Sequence, residues 1–433
     1  MNFTQSSIFS IVASFGLLFV NLLINIIEAR IMGPSEMGRY QVFVTTQTMF
    51  ATICALGIGQ SCIYFINKLK IDERKVLATS INSTLLISLL AGIVLFGIIL
   101  LDQEYFGKEN VYYIALFSMG TSAMLINNIF TPVLLTHMEV VRNQVVKYFG
   151  RIFTLIAFAL LFLLGKNLSV GFLLGLSGVT TMLGTVILYY YFYNRFSFSD
   201  GIDFPLLGRI LKWGVKLAGN NIASITLTSI PVYFLTWFSI TGFEDVGYYG
   251  RANSLLVVGT VIASSIGPLL YAKWSSVEGK ILASQVRRVS MLFIMVNILI
   301  AIGIIVVAPF VVELLFGKEF NAASPILQIL AFSLIGNGVK EVCYGVLSSQ
   351  GHPLKIMKNL CYGIILSVVA NYFVIPVWGV CGCAMVTTIV TLVTAIFLMY
   401  DVTRISEIKM SDFFVAPTIN ELKEIITKNI LKK

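Results

Sequence analysis

Twelve apolar stretches of about 20 residues or more constrain the fold of this chain more than any other feature. A bilayer core about 30 Å thick is crossed by roughly 20 apolar residues in a helix. Runs such as 81–101 and 291–312 are apolar on every face, whereas transmembrane strands alternate polar and apolar residues. We therefore predict an all-α integral membrane protein with twelve transmembrane helices, near residues 8–31, 41–66, 76–101, 111–136, 144–165, 168–193, 214–240, 247–272, 284–311, 324–349, 355–376 and 379–402.

The composition excludes several function classes. Apolar residues make up 57% of the 433 residues and charged residues 12%, where a soluble domain carries about a quarter. All six cysteines lie within the apolar stretches and are interpreted as small packing residues. The chain shows no Walker loop, no nucleotide-binding fingerprint and no metal-ligand spacing. We therefore expect no enzyme activity, no catalytic residues, no cofactor and no bound metal.

Basic residues predict the orientation in the membrane. Lys and Arg collect in short cytoplasmic loops and at helix ends. With the N-terminus inside, 23 of the 30 basic residues fall on the inner side and 6 on the outer side, while Lys340 lies within a helix. The net charge of +9 is thus explained by membrane topology, and no nucleic acid is expected as a partner. Twelve helices place both termini in the cytoplasm, consistent with this bias.

The two halves of the chain resemble each other. MGPSEMGRY at 32–40 resembles TGFEDVGYY at 241–249, and the tetrapeptide FGKE occurs at both 106–109 and 316–319. Six predicted helices separate the copies, so both copies have the same orientation, a recurrent plan among transporters. We predict an N-terminal six-helix bundle (1–193), a cytoplasmic linker (194–213), a C-terminal six-helix bundle (214–402) and a basic cytoplasmic tail (403–433). The end of the tail has the spacing of an amphipathic helix on the inner leaflet, with a solvated tail as the alternative.

Several segments resemble one known family. The sequence ARIMGPSEMGRYQ (29–41), DVGYYGRANSL (245–255) and the region from GVLSSQGHPLKIMKNL (345–360) to NYFVIPVWGVCGCAMVTTIV (371–390) are similar to polysaccharide-biosynthesis flippases of the MATE-like (MOP) superfamily. Those proteins serve O-antigen, capsule or exopolysaccharide synthesis. The resemblance implies two parallel six-helix bundles around a central cavity. It also implies alternating-access transport of undecaprenyl-diphosphate-linked oligosaccharide repeat units from the inner to the outer leaflet.

The resemblance also defines the expected location and partners. It implies a multi-pass protein of the bacterial cytoplasmic (inner) membrane, acting on a polyprenyl-diphosphate-linked glycan in contact with membrane lipids. A coupling cation, proton or sodium, and the glycan polymerase machinery are further expected partners.

Polar residues within the apolar stretches predict the substrate pathway, because charge in hydrocarbon usually faces a cavity or a partner. The first helix carries polar residues on one face, with helix–helix hydrogen bonding as the alternative role. The tenth carries a charged pair, which is absent from its repeat partner. The seventh begins with a basic stripe suited to a diphosphate or to headgroup anchoring. The candidates are Asn21, Asn25 and Glu28; Asn337, Lys340 and Glu341; Arg209, Lys212, Lys216 and Asn220; and Arg251, which otherwise caps the turn beside Asp245.

Two other functions compete with the flippase hypothesis. A cation-coupled exporter of small molecules with the same fold would need buried carboxylates, and Glu28 and Glu341 are the two available. A membrane glycan polymerase or ligase would need large outer loops, whereas every outer loop predicted here is about 10 residues or shorter.

Overall fold

The computed structural model describes residues 3–106, 108–136, 140–163, 169–193, 201–274, 279–406 and 408–414. Those residues form thirteen α-helices and two short 3-10 turns. The helices are α1 (Phe3–Cys54), α2 (Ile58–Asn67), α3 (Glu73–Leu101), α4 (Gln103–Phe106), α5 (Val111–Thr136), α6 (Val140–Leu163), α7 (Val170–Tyr193), α8 (Phe204–Phe238), α9 (Phe243–Trp274), α10 (Gly279–Phe316), α11 (Ala323–Ala331), α12 (Ser333–Ser349) and α13 (Pro353–Ile405), with the turns at Lys318–Phe320 and Met410–Phe413.

Two glycines divide the longest helices where the sequence predicts boundaries between membrane segments. In α1, Gly33 has a φ of 69° and precedes Pro34. In α13, Gly379 has a φ of 55° and follows Pro376 by three residues. A left-handed φ costs glycine little, and proline disrupts the helical hydrogen-bond ladder, so the chain bends at these points.

The described helices have the apolar character of membrane segments. Seven are long and apolar enough to cross a bilayer, or eight if the bent pair α11 and α12, at 41° to each other, counts as one span. Many large apolar side chains are also exposed, among them Leu90, Ile93, Val306 and Phe310. Exposed apolar surface of this extent suits contact with lipid. The chain is therefore an all-α membrane protein, while the number of twelve spans remains a prediction.

The second predicted membrane segment, 41–66, contains a break that its hydropathy does not signal. The helix stops at Cys54, and Leu56 and Gly57 both have positive φ, at 47° and 67°. A Cβ on Gly57 would strike the carbonyl oxygen of Gly214 in α8. The break is thus a consequence of a tertiary contact, because α8 crosses the chain here at backbone distance.

Helices α1 to α7, the N-lobe, and α8 to α13, the C-lobe, meet at several places, and at two of them the backbones come close together. The N-terminal parts of α9 and of the second half of α1 touch through Gly38 and Gly247, the matching glycines of the repeat. A Cβ on Gly38 would clash with the carbonyl oxygen of Phe243. The second contact joins α2 to α8, where the Ser61 hydroxyl donates to the Ile210 carbonyl at 3.1 Å.

The predicted linker and tail differ from the structure at their edges. Helix α8 begins at Phe204, so helix occupies the second half of the predicted linker, and α13 continues to Ile405. Beyond it, Phe413 is fully buried against the C-lobe, because its ring completes an apolar cluster there. Residues 194–200 of the linker and 415–433 of the tail, including the predicted amphipathic helix, lie outside the described residues.

Candidate substrate pathway

A buried charge pair connects the two lobes. Arg251 on α9 is 3% exposed, and its Nη1 lies 3.8 Å from Oε2 of Glu28 on α1, which is 5% exposed. The same Nη1 donates to the backbone oxygen of Asn25 at 3.0 Å and to its Oδ1 at 3.2 Å. A buried guanidinium requires such partners, because an unpaired charge would be costly in this environment. Three predicted pathway residues thus form one network across the lobe interface.

This network replaces the alternative role of Arg251, which was to cap the turn beside Asp245. Asp245 hydrogen-bonds to Ser239 near the start of α9, whereas Arg251 extends to α1 and does not cap that turn. Arg30, two residues after Glu28 in the sequence, donates to the carbonyl oxygens of Leu314 and Leu315 at 2.6 and 3.0 Å. Arg30 thereby links α1, just before the bend at Gly33, to the end of α10. This is a second polar link between the lobes.

A cavity of about 480 Å³ lies inside the N-lobe. Glu28 forms part of its wall, next to Tyr40, which interacts with both Glu28 and Ser177. Arg151 on α6 also lines the cavity and acts electrostatically on Glu28, yet no described residue forms a hydrogen bond or close ion pair with its guanidinium. The cavity therefore offers an exposed cation beside a buried carboxylate. Its other polar side chains are neutral: Asn21, Gln47, Thr48, Asn127, Asn128, Thr154, Ser177, Thr180 and Thr181.

Two further cavities adjoin the first through shared walls. One of about 350 Å³ lies between the lobes and shares Asn128; its polar lining is uncharged, with Thr52, Gln60, Asn221, Ser224 and Thr228. The other, of about 400 Å³, lies between α1 and α9 and shares Asn21; it is lined mainly by Leu and Val, with Ser14, Asn25 and Ser254. The three cavities thus present a charged region, a neutral polar region and a largely apolar region.

The basic stripe of α8 lies apart from these cavities. Arg209, Lys212 and Lys216 are exposed, and none of them lines the three cavities. Asn220 is half-buried, and its Oδ1 has no hydrogen-bond partner among the described residues. The lining that α8 contributes to the cavity between the lobes begins at Ala218 and includes Asn221.

The charged pair of the tenth predicted segment is on α12, within the C-lobe. Lys340 is half-buried and its Nζ donates to Oδ1 of Asn337 at 3.2 Å. Glu341, also half-buried, interacts electrostatically with Lys340 and packs against Gly267 of α9. These residues are close to one another, but they do not line any of the three cavities.

Several cavity residues lie outside the set predicted from sequence. Gln47, Asn127 and Asn128 occupy otherwise apolar helices, and the Oδ1 of Asn127 is buried without a partner among the described residues. Their amide side chains, each within an apolar run, are the sequence feature that could have predicted a place in a cavity. The charge bias places Arg151 on the inner side, where the sequence predicts that Lys147 and Arg151 form a shorter basic stripe like that of α8, and hydropathy does not show which way the side chain points. In the part of the chain described here, no group of three or more His, Cys, Asp or Glu side chains could hold a metal ion.

These features match a defined class of membrane protein. A family model described as "Polysaccharide biosynthesis protein" matches residues 3–271. The chain belongs to this family. It shares its fold with transporters of the MOP superfamily, and the predicted family resemblance is therefore confirmed. The solved structures that share this fold include a flippase and multidrug transporters.

Individual relatives agree with this assignment. The membrane protein MJ1068 of Methanocaldococcus jannaschii is 21% identical over 89% of this chain and 81% of its own length. A relative from Haloferax volcanii, whose name reads "Probable low-salt glycan biosynthesis flippase Agl15", is 24% identical over 38% of this chain and 37% of its own.

Solved structures show the same fold. The lipid II flippase MurJ in an inward closed conformation has a TM-score of 0.75 at 14% identity, covering 98% of this chain and 93% of that one. An inward-facing multidrug resistance MATE transporter has a TM-score of 0.69 at 16% identity, covering 90% and 94%.

Proposed function

We propose that this protein translocates undecaprenyl-diphosphate-linked oligosaccharide repeat units from the inner to the outer leaflet of the cytoplasmic membrane, for surface polysaccharide synthesis. The observation that carries the proposal is the series of adjoining cavities. A lipid-linked sugar has an anionic diphosphate, a neutral polar glycan and an apolar tail, and each has a matching region in the lining.

Arg151 is the residue proposed to hold the diphosphate. It is exposed in the cavity of the N-lobe and has no hydrogen-bonded partner in the described chain. Charge-assisted hydrogen bonds from arginine to phosphate are among the strongest available to a protein. The amide and hydroxyl groups of Asn128, Asn221 and Thr228 would hydrogen-bond the sugars next to it. The apolar tail would lie between α1 and α9, along Leu18, Leu22 and Val258.

Alternating access follows from the contacts between the lobes. Arg251, on α9, must leave Asn25 and Glu28, on α1, before the outer sides can separate. An anionic diphosphate near Glu28 would compete for the arginine and so favour separation. A coupling cation, proton or sodium, would act at the same place by neutralising Glu28.

Glu28 also favours a second function, a cation-coupled exporter of small molecules. A carboxylate that is buried in a cavity can bind a cation and release it when the lobes move. Such an exporter would transport hydrophobic cations and would leave lipid-linked glycans where they were made.

A deletion strain that lacks any second flippase tests the proposal. We expect lipid-linked units to accumulate on the cytoplasmic leaflet and surface glycan to fall, with full recovery on expression of the wild type. Arg151→Gln should not restore surface glycan, Arg151→Lys should restore part of it, and the matched control Lys358→Gln should restore all of it. Normal surface glycan in the deletion strain, together with changed resistance to hydrophobic cations, would favour the exporter.

A further inference from the structure

A cluster of aromatic and basic residues covers the contact between α2 and α8 from outside. The rings of Tyr64 on α2 and Trp213 on α8 stack at 4.4 Å between centroids and 28° between planes. Lys68 lies 5.5 Å from the centre of the Tyr64 ring, and Lys216 lies 5.9 Å from that of Trp213. Arg209 lies 5.6 Å from the ring of Phe65. We call these six residues the seam patch.

The seam patch contains cations from both lobes and no acidic partner for them. Lys68 belongs to the N-lobe, and Arg209 and Lys216 belong to the C-lobe; all three are exposed. No described carboxylate forms an ion pair with any of them. The patch lies where the charge bias predicts the inner face of the membrane, so its positive charge meets the anionic leaflet.

The seam patch lies apart from the cavities, because none of its six residues lines any of them. The lining of the cavity between the lobes includes Gly57 and Gln60, and Tyr64 lies one turn further along α2. The backbones of the two lobes touch at Gly57 and Gly214, and next to that contact Trp213 is exposed at the surface. A molecule held by the three cations therefore rests on the outside of the closed contact, at the level of the lipid headgroups.

The geometry points to a binding site for an anionic phospholipid headgroup that bridges the lobes and holds their inner contact closed. Lysine and arginine supply the charge for the phosphate, and tryptophan and tyrosine are the side chains that favour the headgroup region. Because the cations come from both lobes, a bound headgroup would oppose separation of α2 from α8. This role is independent of which molecule the cavities transport.

Quenching of Trp213 fluorescence by brominated lipids tests the proposal in vesicles with the full-length protein. The contribution of Trp213 is the difference between the wild type and Trp213→Phe, because the chain has four tryptophans. One cation near an anionic surface contributes a factor of about five in binding, so the three cations set a ceiling of roughly a hundredfold, and we expect dibromo-phosphatidylglycerol to be preferred over dibromo-phosphatidylcholine by at least about tenfold. Equal quenching by the two lipids would overturn the proposal.

Removing one cation from each lobe in turn tests whether the headgroup bridges the two lobes. Lys68→Gln alone and Lys216→Gln alone should each lower the preference by about fivefold. The matched control is Lys358→Gln with Arg404→Gln, which removes two cations that also lie over tyrosine rings, on α13 and outside the seam. The control should keep the full preference. An unchanged lipid preference in Lys68→Gln would show that the cations of the C-lobe alone bind the headgroup, and would overturn the proposed bridge.

A competition experiment separates bulk phospholipid from the proposed transport substrate, which carries the same phosphate chemistry. Undecaprenyl diphosphate at amounts equal to the protein should leave the quenching by dibromo-phosphatidylglycerol unchanged. Displacement under those conditions would assign the seam patch to capture of the substrate and overturn the phospholipid site. The measurement requires no transport, so its failure is distinguishable from failure of the flippase proposal.

Discussion

At the residue scale, the buried pair of Arg251 and Glu28 is the most specific feature of the interface between the lobes. Its energy can be tested by a double-mutant cycle. Arg251→Gln leaves a buried carboxylate without its cation, which costs about 3–5 kcal/mol of stability for pairs of this kind. Glu28→Gln together with Arg251→Gln should recover most of that loss, because neither charge is then left unpaired. Thermal unfolding of the three variants in detergent measures the cycle.

Additive losses in the double variant would contradict this account. They would show that Arg251 is held by the oxygens of Asn25, at 3.0 and 3.2 Å, and that Glu28 contributes independently.

Lys340 provides a second test at this scale. The sequence predicts that the charge of Lys340 serves the substrate pathway, whereas the structure gives Lys340 a hydrogen bond to Asn337 and places it outside the three cavities. We expect Lys340→Ala to abolish transport of lipid-linked units while protein abundance stays near normal, because a half-buried residue contributes little packing. Full transport by Lys340→Met, which keeps the length of the side chain, would show that the charge is incidental.

At the element scale, the structure shows that the two copies of the repeat contact each other, which the sequence alone does not predict. Gly33 and Gly242 both have positive φ, as expected for the tight reversals of the two copies. Gly38 and Gly247, five residues further on, bring the two copies into contact with each other. That contact depends on how the lobes assemble, and no periodicity within one segment could predict it.

Substitution of Gly38 tests the contact. A Cβ there would clash with the backbone oxygen of Phe243, so Gly38→Ala must push the lobes apart or distort α9. We expect a loss of about 1–3 kcal/mol, typical of overpacking. The matched control is Gly303→Ala in α10, where a Cβ meets nothing within 4 Å. The temperature of thermal unfolding should fall in Gly38→Ala and should stay the same or rise in Gly303→Ala. Equal unfolding temperatures of the two variants would contradict the close contact.

The break between α1 and α2 marks the limit of sequence reasoning about elements. Hydropathy predicts one segment over 41–66, because the residues around Leu56 are apolar and carry no proline. The helix nevertheless ends at Cys54, since α8 approaches the backbone at Gly57. In contrast, the bends at Gly33 and Gly379 coincide with predicted boundaries. A proline lies within three residues of each of these glycines.

At the scale of the whole molecule, the fold class and the family were predictable, whereas the site was predictable only in part. Long apolar runs and repeated motifs can be read directly from the sequence, because they do not depend on how the helices pack. Which polar residues share a cavity depends on helix rotation, and so Arg151 and Asn128 were not assigned to the pathway. Residues Asn21, Asn25, Glu28 and Arg251 were assigned to it, because polar groups deep in an apolar helix need a cavity or a partner.

The orientation predicts a pattern of accessibility across the molecule. In a variant without its six native cysteines, single cysteines at Lys70 and Ser199 should react with a membrane-impermeant thiol reagent only from the cytoplasmic side. A cysteine at Asp102, at the end of α3, should react only from outside. Labelling of position 199 from outside would overturn the orientation and the even number of helices between the copies of the repeat.

Purified protein in vesicles tests most directly whether the protein moves lipid-linked oligosaccharides between leaflets. The vesicles contain an undecaprenyl-diphosphate-linked oligosaccharide in both leaflets, and a glycosidase added outside measures the fraction of glycan that is exposed. With the wild type, this fraction should rise from the share of the outer leaflet to nearly all of the glycan. With Arg151→Gln it should stay near the starting share. A wild-type protein that leaves the fraction unchanged, in vesicles where it transports a hydrophobic cation, would contradict the account.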